Sequence, residues 1–161
     1  MRSMSVVLLG VTAWLLGCAS AYERTYEQET QRLERQRQAR EQREAMAHAE
    51  ASRYAAVVYF EVGSAVIHED GHRELRWFAE KLEPYPQAVI LVQGFADATG
   101  GDGLNQELSE ERASNVADVL VTQGIAASRL RVSGFASDYA AESNDTRAGR
   151  SRNRRVEVTV Q

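Results

Sequence analysis

Charged and polar side chains gather in one stretch of the chain, between residues 97 and 112. Asp97 follows an apolar segment, and Asn105 and Arg112 come after a glycine-rich turn. At about 100° per residue, Asn105 and Arg112 share one helical face. The same face carries a predicted apolar stripe, formed by Leu104, Leu108, Ala113, Val116, Val119 and Leu120. A guanidinium in such a stripe needs an acidic partner, which is either Asp97 or a carboxylate of a ligand.

Two other motifs resemble functional sites but lack part of the required chemistry. Residues 68–72 (HEDGH) fit the H-E-x-x-H zinc pattern, which needs both histidines on one face inside a helix. Here Asp70 is predicted to be the N-cap and Gly71 to interrupt the helix, so His68 and His72 are expected to be surface histidines. The glycines of residues 99–103 lack the lysine and serine of a phosphate loop, and a turn with positive φ explains them.

No arrangement for covalent catalysis accompanies these residues. Asp97 and Asp102 form a carboxylate pair without a nucleophile or an oriented base. The single cysteine, Cys18, excludes an intrachain disulfide and lies far from any histidine in the sequence. The net charge of −4 lacks the basic footprint of nucleic-acid binding. We therefore expect a protein that is not an enzyme and uses neither metal nor cofactor.

The elements that position the candidate residues follow an alternating pattern. Strands are predicted at residues 55–62, 88–95, 129–135 and 155–160, from β-branched and aromatic content and from the alternation of the last segment. One helix is predicted from Asp70 to the prolines at 84 and 86, and a second from the glycine-rich turn to Gly124 as its C-cap. Residues 137–152 read as a polar loop with at most one short helical turn.

Helices with one apolar face each must cover a sheet. The order β-α-β-α-β-β therefore predicts an α/β (α+β) two-layer sandwich, with a four-stranded mixed sheet and two main helices. A long charged helix is predicted to precede it.

The spacing of several motifs resembles the OmpA-like C-terminal domain, over residues 57–160. The motifs that carry the resemblance are Gly94-Phe95-Ala96-Asp97, Asn105-x-x-Leu108-Ser109-x-x-Arg112-Ala113-x-x-Val116, Gly134-Phe135 and Asn144-Asp145-Thr146-x-x-Gly149-Arg150-x-x-Asn153-Arg154-Arg155-Val156-Glu157. The same domain occurs in peptidoglycan-associated lipoproteins and in flagellar motor stators. Within this pattern, Phe95 stands where many members have histidine or tyrosine, and Gly63 where some have a polar side chain.

The resemblance implies a ligand and a set of roles. Members of the family bind the diaminopimelate of the cell-wall stem peptide without covalent attachment. By resemblance, Asp97 takes the ammonium of that residue and Arg112 takes its carboxylate in a bidentate pair. Asn105 adds a neutral hydrogen bond, and Arg154 supplies a second cation. The alternative is that Asp97 and Arg112 only pair with each other as a structural ion pair.

The first residues indicate export and lipid attachment. A short basic start is followed by an apolar run that is too short to span a bilayer with confidence, and the run ends Leu15-Leu16-Gly17-Cys18. This ending resembles the lipobox of bacterial lipoproteins, in which the cysteine is acylated after cleavage. Ala19 follows the cysteine, which by analogy with lipoprotein sorting favours the outer membrane. The alternative is an ordinary cleaved signal or an uncleaved anchor.

Three regions are predicted from these patterns. They are a signal peptide at residues 1–17, a lipidated cysteine with a charged helical spacer at 18–53, and a peptidoglycan-binding domain at 54–161. The implied function is to tie the outer membrane to the cell wall from the periplasmic side. The alternative is an envelope assembly module that uses the same fold to dock a protein partner, for example one of the Tol type.

Overall fold

The computed structural model describes the backbone from Ser3 and the side chains from Tyr22 to Gln161. The chain divides into two compact units, Met1–Met46 and Ala47–Gln161. Cys18, predicted to carry the lipid, lies outside the residues whose side chains are described, and so does the whole predicted signal peptide.

A single long helix, α1 (Ser3–Ala51), occupies the first part of the chain. From Tyr22 onward its side chains are exposed as far as Glu50, and Ala51 is the first that is fully buried. Charged residues pair along the helix, as in the hydrogen-bonded pairs Arg37–Glu41 and Arg40–Glu44. These pairs and the absence of an apolar face among the described side chains confirm a long charged helix. In the part of the chain with described side chains, no helix has the length and apolarity to cross a membrane.

The second unit is built on a four-stranded mixed sheet in the order β1-β4-β2-β3. The strands are β1 (Ala55–Tyr59), β2 (Ile90–Gly94), β3 (Leu130–Gly134) and β4 (Arg155–Val160). Strand β4 lies between β1 and β2 and is antiparallel to both, while β2 and β3 are parallel. The predicted fold class is therefore confirmed. The observed strands lie within the predicted segments, and β4 has the predicted limits.

Two helices cover the sheet, α2 (Glu69–Leu82) and α3 (Asp102–Thr122), and a short helix, α4 (Arg147–Asn153), precedes β4. A 3-10 turn, Ala127–Arg129, leads into β3. The core lies between the helices and the sheet. Its fully buried large apolar side chains are Leu75, Phe78 and Leu82 of α2, Val116 and Leu120 of α3, and Val58, Ile90, Val92, Val156 and Val158 of the sheet.

Two local predictions about α2 were wrong. Asp70 is not the N-cap of α2, because the helix begins at Glu69 with His68 in the cap position, and Asp70 instead pairs with Arg73. Gly71 does not interrupt the helix. A Cβ there would lie 2.9 Å from side-chain atoms of Ile67 and Val58, so glycine allows α2 to approach β1.

The second main helix differs from the prediction at both ends. Leu104 is exposed rather than part of the buried stripe, whereas Ser109 is fully buried. At the carboxyl end Gln123 is the C-cap, and Gly124 follows it with a φ of 95°. That left-handed conformation one residue past the cap is the usual place for glycine.

Candidate functional site

Two glycines allow α3 to lie against one end of the sheet. Gly94 and Gly134 are register partners at the ends of the parallel strands β2 and β3. A Cβ on Gly94 would lie 2.0 Å from the carbonyl oxygen of Ser109, and one on Gly134 would lie 2.6 Å from the amide nitrogen of Glu110. Backbone of the helix and backbone of the sheet therefore touch. This contact fixes the side chains of the helix's buried face against the segment that follows β2.

Arg112 is the largest fully buried side chain near this contact. Its guanidinium donates to three backbone carbonyls: Nε to Ser64 at 2.8 Å, Nη2 to Glu61 at 3.0 Å and Nη1 to Phe95 at 3.1 Å. It also lies 5.2 Å from the centre of the Phe60 ring. Three of the five N–H donors are thus used, and one on each terminal nitrogen remains. Among residues 22–161 no carboxylate forms an ion pair with Arg112.

The charge of Arg112 is therefore held at an unfavourable position. Burial lowers the pKa of Arg112 to about 10, and the nearby cation of Arg154 adds to this effect, while Asp97 and Glu111 oppose it. The side chain still carries its positive charge at neutral pH. A cation without a counter-ion in a low-dielectric site is stabilised by any anion that can reach it.

Asp97 pairs with Arg154 rather than with Arg112. Its Oδ2 accepts from Nη1 of Arg154 at 2.9 Å, and both side chains are almost fully buried. Its Oδ1 accepts from the backbone amide of Thr99 at 2.8 Å and from the Thr99 hydroxyl. Burial alone would raise the pKa of Asp97, but these donors outweigh it and the net pKa is lowered. The Asp97–Arg112 ion pair considered as an alternative is not formed.

Arg154 is held on its other side by a backbone group. Its Nε donates to the carbonyl of Phe60 at 2.9 Å. Because Arg154 stands immediately before β4 and Phe60 immediately after β1, this bond ties the guanidinium to the ends of two neighbouring strands.

These side chains line one cleft of about 200 Å³. Its wall includes all four residues selected from the sequence, namely Asp97, Asn105, Arg112 and Arg154, together with Val62, Gly63, Ala96, Thr99, Gly100, Leu104 and Leu108. Asn105 is buried and donates to the backbone carbonyl of Asp97 at 3.1 Å. The structure thus places the sequence-selected residues in contact with one space.

The positioning role of Asn144 and Asn153, which were quoted above only as motif residues, was missed in the sequence. Asn153 donates to the side-chain oxygen of Asn144 at 2.9 Å, and that oxygen also accepts from the amide of Ala98 at 3.1 Å. The bonds connect α4 to the backbone next to Asp97. Thr99 was also missed, although an Asp followed two residues later by Thr is a pattern typical of a side-chain-to-backbone turn.

The histidine motif does not form a site in the structure. His68 precedes α2 and His72 lies in its first turn. Within the part of the chain with described side chains, no group of three or more His, Cys, Asp or Glu residues could hold a metal ion.

The family of the chain can be stated from its match over residues 59–154. These residues include β2, β3, both covering helices and every residue that lines the cleft. The chain belongs to the OmpA family. The match ends at Arg154, so all four cleft residues named above lie within the OmpA-family region.

Curated relatives of this OmpA-family chain have longer sequences. It is 42% identical over 103 residues to the probable lipoprotein YiaD of Escherichia coli, a stretch that covers 64% of this chain and 47% of that protein. It is 40% identical over 98 residues to the peptidoglycan-binding protein ArfA of Mycobacterium tuberculosis, covering 61% of this chain and 30% of ArfA. The chain therefore matches less than half of the length of either relative.

A solved structure shares the fold. The peptidoglycan-associated lipoprotein of Burkholderia pseudomallei superimposes with a TM-score of 0.63 at 25% sequence identity, covering 66% of this chain and 90% of that chain. The similarity thus extends over almost the whole of that lipoprotein's structure.

Proposed function

We propose that this OmpA-family domain binds peptidoglycan without covalent attachment, through the diaminopimelate of the stem peptide. The observation that carries the proposal is the buried guanidinium of Arg112, which lines a cleft and has no carboxylate partner in residues 22–161. Its two remaining N–H groups, one on each terminal nitrogen, suit a bidentate carboxylate. The names of ArfA, a peptidoglycan-binding protein, and of the Burkholderia peptidoglycan-associated lipoprotein support peptidoglycan as the polymer that is bound.

The other end of the proposed contact is Asp97. Three of the roughly four lone-pair positions of its carboxylate are used by Thr99 and Arg154, which leaves one for an ammonium group. Arg154 orients this carboxylate and adds a second cation at the cleft. Asn105 donates to the backbone of Asp97, so its side-chain oxygen is the atom that would accept from the ligand.

The rim of the cleft suits the rest of the ligand. Val62 and Leu104 line it, and their side chains are 68% and 62% exposed. Diaminopimelate carries three methylene groups between its two charged ends, and these would cover the exposed apolar atoms. Each methylene that becomes buried contributes about 0.8 kcal/mol, so the apolar rim would add to the binding free energy that the charged contacts supply.

We further propose that Cys18 carries a lipid anchor in the outer membrane and that the charged part of α1 acts as a spacer. Such a protein would tie the outer membrane to the wall. A weak site is sufficient for this, because anchoring confines the domain near many copies of its ligand and so raises their effective concentration. The anchor is tested by labelling with radioactive palmitate, which Cys18→Ser should abolish.

The wall contact is tested by sedimentation of the full chain with purified sacculi of the diaminopimelate type. Asp97→Asn and Arg112→Lys should each reduce binding at least about tenfold, since each removes a charged hydrogen bond worth about 1.5–3 kcal/mol. Free diaminopimelate should compete with the parent protein.

A matched control is available in Arg129. Its guanidinium also donates to two backbone carbonyls, those of Ala88 and Tyr85, but it lies outside the cleft. Arg129→Ala should lower stability and leave sedimentation unchanged. If Asp97→Asn and Arg112→Lys sediment as the parent does, the assigned site is wrong. If free diaminopimelate fails to compete, the cleft binds something else, as a protein-docking module would.

A further inference from the structure

Strand β1 forms one edge of the sheet, and half of its backbone groups face away from the sheet. The amide of Phe60, just after β1, donates to the carbonyl of Arg154 at 3.0 Å. Because hydrogen-bonded pairs alternate along antiparallel strands, Val58 also bonds to β4, and the N–H and C=O groups of Val57 and Tyr59 point outward. No backbone or side-chain group of residues 22–161 hydrogen-bonds to these outward groups.

The opposite edge of the sheet, β3, is covered at the corresponding places. Because Phe135 donates its amide to β2, the alternate residues Leu130 and Gly134 face away from β2. The carbonyl of Gly134 accepts from the side chain of Gln106 at 3.1 Å, and that of Leu130 accepts from Nη1 of Arg131 at 3.2 Å. Proteins commonly protect edge strands with charged or polar side chains. Strand β1 has the same length, five residues, but carries neither a charged side chain nor a proline.

A groove of about 420 Å³ lies along the open edge of β1. Gly71 of α2 packs on Val58, so α2 bounds the groove on the helix side. Two carboxylates of α2, Asp70 and Glu74, line the groove there, and Glu61 lines it beyond the end of the strand. Within residues 22–161, Glu61 and Glu74 form no ion pair, and no lysine or arginine lines the groove. The groove is therefore acidic.

The side chains of β1 alternate between two environments. Val58 faces α2 and is buried, whereas Val57 and Tyr59 lie on the other face of the sheet and are 38% and 53% exposed. A strand added beside β1 follows the same alternation. Its residues opposite Val57 and Tyr59 meet exposed apolar surface. Its residue opposite Val58 points to the helix side, where the carboxylates of Asp70 and Glu74 line the groove.

We propose that β1 docks an extended segment of a partner protein in which basic and apolar residues alternate. The segment adds a fifth strand to the sheet, antiparallel to β1, and bonds to the outward groups of Val57 and Tyr59. The carboxylates select basic residues on the helix side, and the exposed side chains of β1 select apolar residues on the other side. A second copy of this chain fits less well, because pairing β1 with β1 brings two acidic grooves together.

The docking edge is separate from the proposed wall contact. Neither Val57 nor Tyr59 lines the cleft that contains Arg112. A partner on β1 therefore leaves the cleft open, and the inference does not depend on the proposed function.

The test uses the full chain and a synthetic peptide of about seven residues, long enough to pair with β1, in which lysine and valine alternate and both ends are blocked. Exchange of backbone amide protons in deuterated water, followed for each residue by NMR, reports the contact. Without peptide, the amides of Val57 and Tyr59 should exchange faster than that of Val58, which bonds to β4. The peptide should slow exchange at Val57 and Tyr59 at least about tenfold. The amide of Val132 on the β3 edge is the matched control and should not change.

Two changes to the peptide separate its backbone from its charge. N-methylation of the valine amides, which face β1, should abolish the protection, whereas N-methylation of the lysine amides should leave it. A peptide with glutamate in place of lysine should give no protection. The inference is overturned if the lysine peptide leaves Val57 and Tyr59 unprotected, or if the glutamate peptide protects them equally. Protection that rises with protein concentration in the absence of peptide would also overturn it, in favour of a second copy.

The acidic wall is tested on the protein itself. Glu74→Gln should weaken binding of the lysine peptide about threefold, since it removes one exposed charge contact. Glu80→Gln is the matched control, because Glu80 is exposed on the same helix and lies outside the groove. Equal affinity of the two variants for the lysine peptide would contradict the selection of basic residues by this wall.

Discussion

Arginine serves two different purposes in the two units of this chain. On α1, the side chains of Arg37 and Arg40 are 82% and 79% exposed, and each pairs with a glutamate one turn along the helix. In the second unit, Arg112 is fully buried and Arg154 nearly so, and both donate to backbone carbonyls. Exposed pairs on a helix contribute about 0.3–0.5 kcal/mol, whereas breaking a buried charged contact costs several times more.

The difference indicates where a ligand can act. An exposed guanidinium is satisfied by water and by its neighbour, so binding an anion changes its environment little. Arg112 is removed from water and lacks an ionic partner within residues 22–161, so an incoming carboxylate supplies an interaction that the folded chain does not. The same residue type thus belongs to a solvated helix in one unit and to the wall of a buried cleft in the other.

The strongest test of this comparison is Arg112→Ala. Three backbone carbonyls lose a donor at about 1 kcal/mol each, and water that enters the cleft restores part of the loss. We expect the free energy of unfolding to fall by about 2 kcal/mol, measured by urea denaturation, and sedimentation with sacculi to be lost. An unfolding curve that matches the parent would show that the buried arginine is no more important to stability than those on α1.

Asp97→Asn tests the buried ion pair through its pH dependence. The lowered pKa of Asp97 means that its contribution is fully present above the unfolded value of about 3.9 and is lost as the pH falls through the folded value. The parent should lose about 2 kcal/mol more than Asp97→Asn between pH 5 and pH 2. Equal losses in the two proteins would contradict a stabilising Asp97–Arg154 pair.

The wall type provides a ligand-side test. A stem peptide with lysine in place of diaminopimelate keeps the side-chain ammonium group but lacks the carboxylate on the same carbon. Arg112 would then have no ligand carboxylate to bind. We expect the lysine peptide to bind at least about tenfold more weakly in calorimetry, which corresponds to about 1.4 kcal/mol. Comparable affinity for the two peptides would remove Arg112 from the recognition of the ligand.

The smallest effect is expected on α1. Arg40→Ala removes one exposed pair with Glu44 and should change the free energy of unfolding of the second unit by less than about 0.5 kcal/mol. Sedimentation with sacculi should be unchanged. A marked loss of either property would mean that the charges of α1 contribute more than exposed ion pairs normally do.

Much of the architecture could be predicted because it depends on local patterns. Strand and helix periodicity identified all four strands and both covering helices, and helical phase correctly placed Asn105 and Arg112 among the buried residues of α3. The same reasoning failed for Leu104, which continues the apolar period but is exposed and lines the cleft. Periodicity shows which face of a helix is apolar. It does not show how far along the helix that face is covered by the sheet.

The pairing of charges could not be predicted in the same way. Arg154 was expected near the site, but its salt bridge to Asp97 joins residues 57 positions apart in the chain. Such a contact depends on β4 lying between β1 and β2, which brings Arg154 beside Phe60 and the segment after β2. The carbonyls that hold Arg112 are equally invisible in the sequence, because every residue has a carbonyl and only the folded backbone selects which ones face it.

The sequence by itself determined the kinds of element and their order, and it placed Asn105 and Arg112 on the buried face of a helix, because these follow from hydrophobic period and residue type. Arg154 was expected at the site only from the family resemblance. Only the tertiary structure decided which charges meet. It paired Asp97 with Arg154, and it left the guanidinium of Arg112 bonded to backbone carbonyls. The close approach at Gly94 and Gly134 sets α3 against the sheet, and there Arg112 forms no ion pair with any carboxylate of residues 22–161. It also placed Tyr139, an ordinary loop residue in the sequence, at the exposed end of an aromatic row that includes Phe95 and Phe135.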